Sequence, residues 1–364
     1  RAVLVGMIHL DDEELFVEEE PASRFVTATR SLGRKQSAVR WLPECAAGSG
    51  VVAAGTWDDP ENTLSLWSVQ LEKDEEEMDG MDDAGSLLEP TTRMLSSVSH
   101  PGCVLGLATA SARASGAPVV LTAGGDGALS CFSASALGSG DAELELRRDW
   151  SLGAGGGEAL LGVGVSADAR SVASVGETAT LVVHDTEGGA ERARAQSDES
   201  CLFSVQWVSP HELLTAGAHV LLWDLRAKPR RVASFIPRFG AALHAAPQLL
   251  SAVAHPQQPH RLAAGATDGY IYQWDRRATP TLAHTLAAHS SDVWEVSYFG
   301  ARYGEILSCS SDGTLTARDP GATDATTLIS LEMPINSFDV SAVHGGLAAA
   351  SDAEVLTFID VRSA

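Results

Sequence analysis

Short apolar runs recur along the chain and alternate with polar, glycine-rich turns. Seven of these runs end alike, with one bulky or basic residue at the last strand position before a turn. These positions are Trp67, Phe132, His184, Trp223, Trp274, Arg318 and Ile359. Successive positions lie 39 to 65 residues apart, around the roughly 40–45 residues of one four-stranded propeller blade. The repeat therefore predicts seven blades.

Asp-Gly turns support the prediction of propeller blades. Asp126, Asp268 and Asp312 are each followed by Gly, and each precedes its strand-end position by six residues. Asp-Gly between alternating strands is a strong hairpin signal, because Gly adopts the positive φ that such turns require. We predict hairpins at all three positions.

Seven further apolar runs, one before each strand end, are candidates for the strands that line a central channel. They cover residues 37–43, 103–110, 159–166, 201–208, 249–256, 293–299 and 335–342. Several are rich in Gly and Ala, which suits packing near a crowded axis.

The last blade lacks an outer strand, because few residues follow Ile359. Residues 24–32 alternate like a strand and precede the first blade. Pairing this segment with the last blade would remove two exposed sheet edges. With the Trp-Asp pairs at Trp223 and Trp274, we predict an all-β, seven-bladed WD-repeat β-propeller, closed by an N-terminal strand that completes the last blade.

The charge is unevenly distributed. The net charge is −23, and most of it lies in residues 11–20 and 72–89. We therefore divide the chain into an acidic N-terminal extension (1–23) and the propeller (24–364). Residues 72–90 are predicted to form an acidic, disordered insertion between blades 1 and 2, because they are too charged to bury.

Composition also limits the partners. A surface this acidic argues against direct nucleic-acid binding and is compatible with Lys/Arg-rich protein partners. No apolar run approaches the roughly 20 residues of a membrane span, so we expect no membrane insertion. The five cysteines are scattered, which predicts buried small hydrophobic residues rather than disulfides or a zinc site.

The candidate motifs for catalysis, cofactor binding and metal binding are all weak. The glycines at 153–157 lead into a strand and lack the helix that a dinucleotide loop needs. His255 and His260 lie in a Pro-rich turn without further metal ligands. We predict no catalytic residue, no cofactor and no metal.

Polar residues of the repeat are instead assigned to a structural network that ties the blades together. His289 and Asp312 match the His and turn Asp of a WD blade, although Arg318 replaces the usual Trp there. Asp126, Asp268, Trp223 and Trp274 are assigned to the same role.

A specific resemblance lies in the first blade, where residues 55–68 read GTWDDPENTLSLWS. This segment resembles the small, forty-three-kilodalton type of WD-repeat nucleoporin, a subunit of the outer-ring Y complex of the nuclear pore. Residues 255–277, 287–299 and 334–355 are similar to the same family, so the resemblance spans most of residues 24–361.

The resemblance implies a non-enzymatic scaffold at the nuclear envelope, a monomeric subunit of a large assembly. Such a subunit docks on an α-solenoid nucleoporin of the Y complex and supports mRNA and protein transport indirectly. We assign partner binding to Trp57, Asp58, Asp59 and Glu61, since exposed aromatic residues anchor interfaces and acids add charge complementarity. Alternatively, Trp57 merely packs over blade 1.

Two other functions stay open. A WD-repeat adaptor in another assembly, such as a cullin-ligase substrate receptor or a vesicle-tethering subunit, is suggested by the WDxR elements at 223–226 and 274–277. A propeller enzyme would need convergent polar groups at the channel mouth.

Overall fold

The apolar runs form strands that assemble into seven four-stranded antiparallel sheets. The structure is a computed structural model. It describes residues 27–43, 50–70, 91–113, 115–136, 144–153, 157–237, 246–278, 282–299, 305–319, 324–341 and 345–360.

The sheets are numbered as blades in chain order, and each is described from its inner to its outer strand. Blade 1 contains β2 (Gln36–Trp41), β3 (Gly50–Thr56), β4 (Thr63–Gln70) and β5 (Thr91–Ser99). Blade 2 contains β6 (Val104–Ser111), β7 (Pro118–Gly124), β8 (Ala128–Ala136) and β9 (Leu144–Gly153). Blade 3 contains β10 (Leu160–Val165), β11 (Ser171–Gly176), β12 (Thr180–Asp185) and β13 (Glu191–Gln196). Blade 4 contains β14 (Ser204–Ser209), β15 (Glu212–Ala216), β16 (Val220–Asp224) and β17 (Arg230–Phe235).

Blade 5 contains β18 (Leu249–Ala254), β19 (Arg261–Ala266), β20 (Tyr270–Asp275) and β21 (Leu282–Ala287), with a 3₁₀ turn at Arg276–Ala278. Blade 6 contains β22 (Val293–Phe299), β23 (Glu305–Ser310), β24 (Thr314–Arg318) and β25 (Thr326–Ser330). Blade 7 contains β26 (Ile335–Val340), β27 (Gly346–Ser351), β28 (Val355–Asp360) and β1 (Thr27–Ser31).

The ring closes through its first strand. β1 pairs antiparallel with β28, from Thr27 opposite Ile359 to Ser31 opposite Val355. The predicted closure is confirmed: among the described residues of the predicted segment 24–32, Thr27–Ser31 form the strand. It covers the edge of β28 and joins the first and last described strands in one sheet.

Strand alternation defines two faces of the ring. In each blade, the turn between the second and third strands lies at the same end as the connection to the next blade. This follows because consecutive strands are antiparallel. We call this end the turn face. At two of the predicted Asp-Gly turns, Gly269 and Gly313 both have φ of +83°. A Cβ at either position would overlap a backbone carbonyl, that of His289 or Leu331 respectively, so the turns press directly on the blade connections.

The core lies between the blades. Seven clusters of buried apolar residues each span two neighbouring blades, and together they run around the whole ring. One example is Phe132 of blade 2, which packs with Leu64 and Leu66 of blade 1. Burial of this kind is the main favourable term in folding, so each blade is stabilised by both of its neighbours.

Some predictions need correction. The acidic insertion and the extension at 1–23 lie outside the described residues, but the strands that flank the insertion, β4 and β5, belong to the same sheet. The insertion therefore connects two strands of blade 1 rather than blades 1 and 2. Of the described cysteines, Cys131 and Cys309 are buried as expected, whereas Cys103 and Cys201 are partly exposed.

Candidate docking surface

The predicted partner-binding loop lies between β3 and β4, on the turn face. Trp57 in this loop is half-buried, and its indole Nε1 donates a hydrogen bond to Asp352 Oδ1 at 2.9 Å. Asp352 lies in the turn between β27 and β28 of blade 7. Trp57 therefore links the first blade to the last, across the place where the ring closes. We call this junction of blades 7 and 1 the closure seam.

The connection from β1 to β2 also contacts this loop. The Lys35 ammonium lies 5.9 Å from the centroid of the Trp57 ring and forms an ion pair with Asp58 at 2.7 Å. The Trp57 amide donates to the Lys35 carbonyl at 3.3 Å. The loop is thus held against the segment that joins the closing strand to blade 1.

Arg34 binds the remaining acids of the loop. Its guanidinium lies 3.8 Å from the carboxylates of both Asp59 and Glu61, and it also donates to the Glu61 carbonyl. The acids that sequence analysis assigned to a partner are therefore partly neutralised within the chain. Asp58 and Glu61 still expose much of their side chains to solvent.

Two further residues of the seam carry no signal in the repeat pattern. Asn336, at the start of β26, donates through Nδ2 to Asp352 Oδ1 at 2.7 Å and to the Gln36 carbonyl at 2.9 Å. Asp352 also donates its amide to the Pro334 carbonyl at 2.9 Å. These bonds connect the inner strands of blades 7 and 1 with the Trp57 loop.

A charged network continues the seam into the central channel. Arg40 on β2 forms an ion pair with Glu295 on β22 at 2.6 Å, and its guanidinium donates to Ser337 Oγ at 2.9 Å. Asp339 on β26 accepts the Trp41 amide at 2.8 Å. Arg40 thereby joins blades 1, 6 and 7 at their inner strands.

The network shifts the pKa values of its members. Burial raises the pKa of Asp339 to about 6, with a smaller contribution from Glu295, while Arg40 acts against the rise. Burial opposes the charge of Arg40, but Glu295 and Asp339 hold its pKa above the usual value. The raised pKa brings the titration of Asp339 closer to neutral pH than that of an ordinary aspartate.

Blade 6 contains the predicted polar set. His289 Nδ1 lies 3.1 Å from Asp312 Oδ2, and Nε2 lies 2.8 Å from Ser308 Oγ. A carboxylate can only accept, so Nδ1 carries the proton and Ser308 donates to Nε2. Thr316 lies 3.2 Å from Ser308 and extends the chain, while Arg318 at the usual Trp position donates to the Ala287 carbonyl. Burial lowers the pKa of His289, which suits a neutral structural group.

Blade 2 contains a similar set that sequence analysis missed. His100 Nε2 lies 2.9 Å from Thr122 Oγ1, and Nδ1 donates to the Gly102 carbonyl at 2.7 Å. Asp126 accepts the Ala128 amide at 3.1 Å within its own turn. A His just before an inner strand was a usable signal, since His100 precedes β6 much as His289 precedes β22.

The other assigned residues are used differently in each blade. Trp223 donates through Nε1 to Thr215 Oγ1 at 3.0 Å in blade 4. In blade 5 Trp274 donates to the Ile236 carbonyl at 3.4 Å, and Tyr272 donates to Asp268 Oδ2 at 2.7 Å. The six assigned residues therefore lie within the blades, but they do not form one repeated network.

The ring encloses a channel of ≈ 670 Å³ lined by all seven inner strands. Among the described ranges, no three His, Cys, Asp or Glu side chains are grouped so as to hold a metal ion. The described part of the chain also contains no helix long and apolar enough to cross a membrane.

Known proteins similar to this chain are nucleoporins. Human Nup43 is 25% identical over 313 residues, which cover 82% of this chain and 75% of the human protein. Mouse Nup43 is 24% identical over 322 residues, 84% of this chain and 77% of the mouse protein. The chain is a relative of the Nup43 nucleoporins. The Arabidopsis nuclear pore complex protein NUP43 is 26% identical over 342 residues, 83% of this chain and 88% of the plant protein.

No family model matches the chain. The Nup43 relatives nevertheless confirm the family resemblance, which rests on the first blade and on residues 255–277, 287–299 and 334–355. Each alignment covers more than four fifths of this chain and at least three quarters of the similar protein. This coverage agrees with one ring that spans the chain from β1 to β28.

Proposed function

We propose that this protein is a non-enzymatic scaffold subunit of the nuclear pore complex, in its outer-ring Y complex. There it docks on an α-solenoid nucleoporin and so supports nucleocytoplasmic transport. The observation that carries the proposal is the similarity to Nup43 nucleoporins over more than four fifths of the chain. Their names as nuclear pore proteins support the same localisation here.

The architecture supports a scaffold role physically. A closed ring with seven interblade cores offers two broad faces and a rim that need no internal motion in order to bind. The polar sets around His289 and His100 are enclosed and serve the blades. Neither set faces the channel as a reactive group would.

The runner-up function, a WD-repeat adaptor in another assembly, has one structural point against it. The arginine of the second WDxR element, Arg277, forms an ion pair with Asp275 at 2.6 Å. A partner that binds Nε or Nη2 of this arginine would compete with that pair. A similar but longer contact holds Arg226 to Asp224 at 3.9 Å.

Purification of the tagged chain from cells, followed by mass spectrometry, tests the proposal. We expect Y-complex nucleoporins to co-purify and the tag to stain the nuclear rim, while a tagged unrelated propeller does neither. Recovery of cullin adaptors or tethering subunits in place of nucleoporins would favour the runner-up and refute the proposal.

A further inference from the structure

Three of the large hydrophobic side chains exposed in the described residues occur together on the turn face. Tyr270, Trp294 and Met333 expose 39%, 37% and 42% of their surface. Tyr270 begins β20, Trp294 is the second residue of β22, and Met333 lies two residues before β26. We call these three residues the blade 5–6 patch. Two other exposed apolar residues, Met94 and Val232, lie on outer strands at the rim.

Two of the three residues border the same turn of blade 6. Trp294 Nε1 donates to Ser311 Oγ at 2.7 Å, and a Cβ on nearby Gly313 would lie 3.2 Å from the Met333 carbonyl. The Trp294 indole and the Met333 backbone are thus both next to this turn.

Tyr270 joins the patch from the neighbouring blade. The amide of His289 donates to the carbonyl of Gly269, beside Tyr270, at 3.0 Å. The next amide, that of Ser290, donates to Asp312 Oδ2 at 3.0 Å. The connection from blade 5 to blade 6 therefore bridges the turn that precedes Tyr270 and the turn that lies beside Trp294 and Met333.

The surroundings of the patch are acidic. The segments around the patch contain five acids and no Lys or Arg. These segments are residues 267–270, 288–295, 310–314 and 331–336. Glu295 is paired with Arg40 in the channel, whereas Glu332 is exposed beside Met333. His289 is fully enclosed, and Arg318, which lies outside these ranges, donates to the Ala287 carbonyl. At the closure seam, by contrast, Arg34 and Lys35 neutralise the acids of the loop.

We propose that the blade 5–6 patch is the docking surface for a protein segment that carries Lys or Arg beside apolar side chains. This inference rests on the proposed function and names the face and the partner chemistry. Exposed aromatic side chains anchor interfaces well. The faces of Trp294 and Tyr270 attract cations, and Glu332 adds a complementary charge.

Paired variants in cells test the location of the surface. Y270S/M333S removes two anchors, and the matched control M94S/V232S removes exposed apolar side chains at the rim. Both should melt like the parent chain. We expect the patch variant to retain about one tenth of the parent's co-purifying nuclear pore proteins, while the rim variant retains all of them. Full retention by the patch variant, or equal loss by both variants, overturns the inference.

A defined probe tests the chemistry independently of the pore. The probe is a labelled amphipathic Lys/Leu peptide, compared with its Glu/Leu counterpart. We expect the parent to bind the Lys/Leu peptide at least about tenfold more tightly. Y270S/M333S should lose about tenfold in affinity and the exposed E332K a few-fold, with M94S/V232S unchanged. Equal binding of the Lys/Leu peptide by the parent and both patch variants refutes the basic-partner surface.

The two experiments separate the inference from the function on which it rests. If the parent chain co-purifies with no nuclear pore protein, the proposed function fails, and the peptide assay alone decides the inference. If the parent co-purifies and the patch variant does so equally, the proposed function holds and the inference fails.

Discussion

Single residues at the closure seam show how a side chain that looks like a partner anchor can be held by its own chain. Trp57 has the type and surroundings of an interface hot spot. Its indole N–H is nevertheless bonded to Asp352, and its ring lies beside the Lys35 ammonium. Partner binding by Trp57 remains a prediction, but the contacts give this residue a structural role first.

The structural role of Trp57 predicts a measurable coupling with Asp352. We expect W57F, which removes the indole N–H, to lower the free energy of unfolding by about 1 kcal/mol, the usual worth of one hydrogen bond. Together, W57F and D352A should be less destabilising than the sum of the two single variants, by about 0.5–1 kcal/mol. Urea unfolding measures all four proteins. W294F in blade 6 is the control and should add to W57F without coupling; additive behaviour of the Trp57 and Asp352 variants would contradict the contact.

Asp339 predicts a pH dependence of stability. Its pKa is raised to about 6 in the folded chain, because burial outweighs the attraction of Arg40. The folded state thus binds this proton more tightly than the unfolded chain, so the stabilisation is fully present below about pH 4 and is lost as the pH rises through about 6. Since Asp339 is only half-buried, we expect an effect on the order of 1 kcal/mol.

The comparison of the parent with D339N isolates this contribution. Between pH 4 and pH 6 the parent should lose stability relative to D339N, as followed by urea unfolding at each pH. The exposed D319N serves as a control for the change in net charge. Parallel pH profiles for the parent and D339N would show that Asp339 titrates as an ordinary surface acid.

At the scale of strands and turns, the sequence predicted most of the fold. The positions of Trp67, Trp223 and Trp274 mark third strands because a repeated unit must place equivalent residues at equivalent strand ends. The seam could not be predicted in this way. Asp352 meets Trp57, and Asn336 meets the Gln36 carbonyl, only after the ring closes, across 295 and 300 residues of chain respectively. No local pattern encodes such contacts.

The closing strand β1 predicts a sharp boundary for truncation. Removing residues 1–26 should leave the unfolding midpoint unchanged, because β1 begins at Thr27. Removing residues 1–31 exposes the edge of β28 and opens blade 7, so we expect a lower midpoint and self-association through the open edge. Thermal melting and sedimentation velocity compare the two truncations. A 1–31 truncation that melts and sediments like the 1–26 truncation would contradict closure by this strand.

At the scale of the whole molecule, the side chains that stabilise the ring differ from those proposed to bind a partner. The interblade clusters and the seam hold the blades in a closed circle. The side chains proposed to bind a partner lie outside those clusters, at or just before the starts of strands. Changes in the blade 5–6 patch should therefore alter association more than stability, while changes at the seam should do the reverse.

The acidic insertion gives the strictest test of this separation. Gln70 and Thr91 face each other as the last pair between β4 and β5, so deletion of residues 73–88 leaves a four-residue connection of hairpin length. Loop closure costs about 0.6 kcal/mol for each doubling of length, and shortening the loop about fivefold should therefore stabilise the ring by roughly 1 kcal/mol. The deletion removes seven acids and one lysine, which also reduces self-repulsion.

We expect the deleted chain to fold, to melt slightly higher than the parent and to co-purify with nuclear pore proteins as the parent does. Unfolding of the deleted chain would show that the segment is part of the blade, and loss of co-purification by a folded chain would show that it binds.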